Sequence, residues 1–148
     1  MEIDSQVEPL VREALDAAVK KDADRLGTAL TAFADEDMWR RGLELTVAIG
    51  TVALLDMYDG GPSAEELPEG ARAISDMEAW AGLSSDEVRG YLTALANREP
   101  LDDKLHPERA VLLVFVVTGS LLSSSPKKRE GEWWYQYLDR VEATIAAG

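Results

Sequence analysis

The chain of 148 residues contains no cysteine, one histidine and two phenylalanines. Without cysteine there can be no disulfide, thiolate zinc site, iron–sulfur cluster or cysteine nucleophile. A single imidazole rules out a His-rich metal cluster and leaves at most one imidazole base. Sequence motifs of chemistry are missing as well. There is no Gly-x-Ser-x-Gly elbow to present a serine nucleophile. Gly60-Gly61-Pro62 lacks the Gly-Lys-Ser/Thr ending of a phosphate-binding loop, and no Gly-x-Gly-x-x-Gly occurs. No Glu-x-x-His pair is available for a di-metal bundle, and the acidic residues around Asp56 and Asp59 do not fit a calcium loop. No cofactor and no metal is therefore expected.

Basic charge is also scarce, with 15 Lys and Arg against 28 Asp and Glu, for a net charge of −13. Such a chain repels phosphates and is a poor binder of nucleic acid. Long hydrophobic runs are lacking too. Leu43 to Tyr58 carries Glu44 and Asp56, and Ala110 to Leu122 falls short of the roughly 20 apolar residues that a bilayer span needs. Both read as buried core helices, and no membrane partner is expected. The opening residues lack the basic and apolar regions of a secretory signal, so the expected location is cytoplasmic.

What the chain does have is 46% hydrophobic residues, enough for one well-cored domain. Their spacing is helical. Val7, Leu10, Val11, Ala14, Leu15 and Ala18 mark one face of a first helix within Ser5 to Val19. Asp22 or Asp24 caps a second, with Leu26, Ala29, Leu30 and Phe33 inward. A third runs from about Asp37 to Tyr58 and is apolar on nearly all sides in its later half. Asp59 to about Gly70 reads as a long loop with a turn at Ala64 to Leu67. A fourth helix carries Ala71, Ile74, Met77 and Trp80 and ends at Gly82. Ser84 and Glu87 form a capping box for a fifth, which Pro100 stops. After the polar connector Leu101 to His106, Pro107 opens a sixth helix containing the run Ala110 to Leu122. Its valines also suit a strand, but no second strand exists to pair with it. A last helix spans about Glu130 to Ala146. The expected fold is all-α: a single compact bundle of about seven helices.

An internal repeat offers itself. Shifting the chain by 62 residues places Leu30-Thr31-Ala32-Phe33-Ala34 on Leu92-Thr93-Ala94-Leu95-Ala96, with Asp24 on Asp86. The units would be residues 5–58 and 71–123, with 130–147 as a closing helix; chance similarity of alanine-rich helices gives the same match. Gly50 and Gly119 would either let the two central helices approach closely or simply relieve crowding.

Candidate functional residues are few. His106 precedes Pro107, where it caps the helix or lies in solvent; catalysis there would need Asp102 or Asp103 to orient it. The acidic surplus lies wholly in the first 104 residues, with clusters at Asp35, Glu36 and Asp37 and at Glu65, Glu66 and Glu69. Arg40-Arg41 and Lys127-Lys128-Arg129 are short and sit among acids. In Trp133-Trp134-Tyr135-Gln136-Tyr137, four aromatics cannot share one helix face, so either at least one is exposed as an interface anchor or the last helix lies in a groove that buries most of them.

The leading expectation is a non-enzymatic acidic interaction protein of inhibitor, immunity or adaptor type. It would bind a basic protein, or a second copy of itself, through Asp35, Glu36, Asp37, Glu65, Glu66, Glu69, Trp133, Trp134 and Tyr135. The alternative is a core small-molecule pocket, as in a sensor or an enzyme, lined by Trp39, Trp80, Tyr91 and Trp134. Convergence of Arg40, Arg41 or Arg109 on a pocket would favour that alternative. A third reading, mimicry of nucleic acid by carboxylates, needs a regular acidic face that sequence does not display.

Overall fold

A computed structural model describes residues 1–101 and 105–148. Among the described residues there are seven α-helices and no strand. They are α1 (Glu8–Val19), α2 (Ala23–Leu30), α3 (Glu36–Met57), α4 (Glu66–Met77), α5 (Ser85–Asn97), α6 (Pro107–Ser124) and α7 (Trp134–Ala147), with a short 3₁₀ turn at Ala79–Ala81 after α4.

The caps follow the sequence. Asp22, rather than Asp24, accepts the Arg25 N–H at the start of α2. Asp35 accepts the Met38 N–H at the start of α3. Ser84 and Glu87 form the reciprocal capping box of α5. Two helix starts differ from expectation. Helix α4 begins at Glu66, because Ser63 and Glu66 make a second reciprocal box: the Glu66 N–H donates to Ser63 Oγ at 3.1 Å and the Ser63 N–H to Glu66 Oε1 at 2.9 Å. Helix α7 begins at Trp134 rather than about Glu130. Gly131 takes a left-handed φ of 75°, and the Trp133 N–H is capped by Gln136 Oε1 at 2.7 Å.

Helices α3 and α6 are the centre of the bundle and pack side by side, with α1, α5 and α7 around them. This explains their composition, since a helix covered on most sides has no polar face to keep. Ten consecutive residues of α6, Leu113 to Leu122, are buried. By length and composition α6 could cross a membrane, but 56% of it is buried inside the protein. The α1–α2 and α4–α5 hairpins flank the central pair. In the first hairpin the leading helix α1 meets α3 and α6, whereas in the second it is the trailing helix α5. The order within the hairpins is thus reversed relative to a simple repeat.

The two central glycines have different neighbours. A Cβ on Gly50 would stand 2.9 Å from Thr118 Oγ1 of α6 and 3.2 Å from the Tyr91 hydroxyl of α5. On Gly119 it would meet Val19 and Ala18 of α1 at ordinary contact distance. Close approach of the central pair therefore depends on Gly50.

Candidate functional site

Three central elements leave a gap between them. Along α3, Trp39, Leu43 and Val47 fall four residues apart and form one wall. Tyr91, Ala94 and Leu95 of α5 form the second. Pro107, Ala110, Val111 and Val114, at helical spacing on α6, form the third, and Pro100 and Leu101 lie at one end. The cleft has a volume of about 520 Å³, within the range of small-molecule sites. It runs on past α5 into a second depression of about 490 Å³ that shares Val47, Ala94, Leu95, Glu99 and Pro100.

The polar groups of the cleft sit mostly at its mouth. Arg40 donates to Glu44 at 2.8 Å and to Asp37 at 2.8 Å. The hydrogen bond to Asp37 is the first cause, and that to Glu44 the second, holding the guanidinium above its ordinary pKa. Glu99 is the other charged residue of the lining. The Tyr91 hydroxyl is turned away into the core, where it pairs with Thr118 Oγ1 at 3.1 Å. Burial raises the Tyr91 pKa well above that of a free phenol, so the side chain is neutral at every physiological pH. The Trp39 indole meets Phe33 edge to face, with ring centroids 5.0 Å apart.

Of the aromatics singled out in the sequence, Trp39 and Tyr91 line this cleft. Trp80 lies elsewhere and donates to Glu78 Oε1 at 2.9 Å. Trp134 borders a different groove between α1 and α7, with Pro9, Arg12, Glu13, Asp16 and Tyr135. Of the arginines only Arg40 reaches the cleft. Arg41 turns to Asp4 and Asp37. Arg109 holds Glu87 through Nε at 3.0 Å and donates to Gly82 O at 3.1 Å. That pairing, helped by the Ser84 hydrogen bonds, outweighs burial and draws the Glu87 carboxyl down to about 2.

The two acidic clusters are set apart. Asp35, Glu36 and Asp37 cap and open α3, while Glu66 and Glu69 lie near Tyr58 at its far end, where burial first and these two carboxylates next raise that phenol's pKa. A 22-residue helix separates them, a length of about 30 Å. Glu65 precedes α4 in the same region as Glu66. The structure does bring the aromatic run into one place. Trp134 is buried at 7% exposure, whereas Trp133 and Tyr135 are 65% and 42% exposed. Their rings stack at 6.5 Å, only 4° from parallel. Beside them Arg12 bridges Glu8, Asp139 and Glu142 at 2.6, 2.8 and 2.7 Å. Glu142 is crowded there. Burial is the main cause, and the adjacent Glu8 the next, of a carboxyl pushed up to about 7.

His106 caps α6, its Nδ1 accepting the Glu108 N–H at 3.3 Å. The partners suggested for it, Asp102 and Asp103, lie outside the described residues. Among the described residues no group of three or more His, Asp and Glu is placed to hold a metal ion. Sequence reasoning missed most of the cleft wall: Leu43 and Val47 of α3, and Ala110 and Val111 of α6. The available signal was the breadth of apolar surface on α3, which exceeds what its neighbours cover. No protein-family model matches the chain, and no curated protein or solved structure matches it.

Proposed function

We propose that the protein is a binding module, of the sensor kind rather than an enzyme, that takes an apolar small molecule into the cleft between α3, α5 and α6. One observation carries this reading: a 520 Å³ cleft walled by Trp39, Leu43, Val47, Leu95 and Val111, with its charged groups at the mouth. Exposed apolar concavities of this size are costly in water and are filled by ligands. Among the described residues the lining holds no nucleophile paired with a base, which argues for binding without chemistry.

The test is titration with N-phenyl-1-naphthylamine, a neutral dye that brightens in apolar sites. Saturable 1:1 brightening is expected for the wild type. It should be lost in Ala110→Trp and in Val47→Trp, both of which place a large ring in the cleft from half-buried positions. Both variants must keep the wild-type helical circular dichroism and a cooperative melt. No brightening of the wild type, or equal brightening of folded variants, defeats the reading.

A second reading, recognition of a basic protein, is favoured by the exposed Trp133–Tyr135 stack beside Glu8, Glu13 and Asp16. Immobilised protein should retain a basic partner at low salt and release it at high salt. A Trp133→Ser/Tyr135→Ser variant should not retain it; unchanged retention would count against this surface.

A further inference from the structure

We propose that the ligand of the α3–α5–α6 cleft is an amphiphilic cation, an apolar body carrying an ammonium or guanidinium head. The inference rests on the reading of the cleft as a small-molecule site and adds the charge of what enters it. Three observations at the mouth support it.

The first is the inventory of polar side chains. Apart from Tyr91, whose hydroxyl is held by Thr118 in the core, the described lining offers the Trp39 indole N–H and the charged groups of Arg40, Glu44 and Glu99. It contains no serine, threonine, asparagine or glutamine. A neutral polar head would find one neutral donor and otherwise charged groups. The second is the state of Arg40. Its two terminal nitrogens are occupied by Glu44 and Asp37, each at 2.8 Å. An anionic head would have to displace both carboxylates to use it, and would itself be repelled by Glu99. The third is Trp39. An indole that lines the same cleft as carboxylates suits a desolvated cation, since the ring face and the carboxylates attract the same charge. The protein's net charge of −13 raises the local concentration of cations everywhere on its surface. The inference concerns the additional preference supplied by the mouth itself.

The experiment displaces N-phenyl-1-naphthylamine from the wild-type protein with three ten-carbon amphiphiles below their micelle concentrations: decyltrimethylammonium, decanol and decanoate. The expected order is the cation first, about tenfold tighter than the alcohol, with the carboxylate last. In Glu44→Gln/Glu99→Gln the advantage of the cation over the alcohol should fall to within about twofold. A control, Glu65→Gln/Glu69→Gln, removes two exposed charges at the opposite end of α3 and should keep the advantage. Equal displacement by all three amphiphiles overturns the inference while leaving the cleft reading intact. So does a control variant that loses as much preference as the mouth variant, because the effect would then belong to the overall charge. Failure of the dye to bind at all removes the cleft reading instead.

Discussion

Replacing Gly50 by alanine tests the packing argument most directly, because the same substitution at Gly90 supplies its control. Both glycines sit inside helices, where alanine is favoured over glycine by about 1 kcal/mol. At Gly90, on the exposed side of α5, an added Cβ meets nothing within 4 Å. The full propensity gain is expected there, so Gly90→Ala should be more stable by about 1 kcal/mol. At Gly50 the new Cβ would stand 2.9 Å from Thr118 Oγ1, 3.2 Å from the Tyr91 hydroxyl and 3.3 Å from Leu95 Cδ1. None of these can easily retreat. Thr118 and Tyr91 are fully or almost fully buried and bonded to each other, and Leu95 is 3% exposed. Overpacking of this kind costs about 1–3 kcal/mol, which cancels or exceeds the propensity gain. The two variants should therefore differ from each other by about 1–3 kcal/mol, with Gly90→Ala above the wild type and Gly50→Ala at or below it. For a chain of this size that corresponds to a separation of about 2–12 °C in melting temperature. Urea denaturation with a shared m-value gives the same comparison at constant temperature. Equal stabilisation by both alanines would refute the close approach of α3 to α6 and the Tyr91–Thr118 pair.

Three further outcomes follow from side-chain chemistry. Glu142 titrates near 7 in the fold against an ordinary 4.5, so its favourable neutral form contributes stability below pH 4.5 that is lost as the pH rises through 7. Glu142→Gln should consequently stabilise the fold at pH 8, by about 1 kcal/mol after allowing for solvent screening, and give no gain at pH 4; a gain independent of pH would contradict the crowding by Glu8. Glu87 behaves oppositely: its carboxyl is held at about 2 by Arg109, so the pair's contribution is complete above pH 4.5 and fades as the pH falls toward 2. Arg109→Gln should flatten that part of the acid-unfolding profile, and an unaltered profile would show that the pair does not hold α6 to α5. Tyr137→Phe removes the 2.6 Å hydrogen bond to Asp56 and should cost about 1–2 kcal/mol, whereas Trp133→Ser at an exposed site should change stability by no more than about 0.5 kcal/mol; the same urea titrations measure both.

Much of the fold was legible because helices announce themselves locally. Apolar spacing located all seven, and the Ser84–Glu87 pattern placed the start of α5. The same pattern at Ser63–Glu66 is masked by Gly60-Gly61-Pro62 before it, which reads as a break in the chain. The start of α7 was misjudged because nothing local reveals that Gly131 is left-handed. The candidate site was less legible, for a physical reason. Its walls come from residues about 39–47, 91–95 and 107–114, and periodicity reports which face of a helix is apolar but not whether a neighbour covers it. Trp39, Tyr91 and Arg40 were named from their chemistry; Leu43, Val47, Ala110 and Val111 looked like ordinary core. Likewise, the two acidic clusters lie at opposite ends of α3, because a helix converts sequence distance into length.

The bridge from Arg12 to α7 also bears on how the chain is made. Its partners Asp139 and Glu142 follow it by 127 and 130 residues. Helix formation itself takes about a microsecond, yet at cellular elongation rates the partners of Arg12 emerge only about 6–26 s after it. Throughout that interval the flank of α1 that will receive α7 stands in water. The groups waiting there include Glu8, Arg12, Glu13 and Asp16, which keep a nascent surface hydrated and discourage sticking to other chains. A joint that must wait for a distant partner is thus built from side chains well suited to being left open.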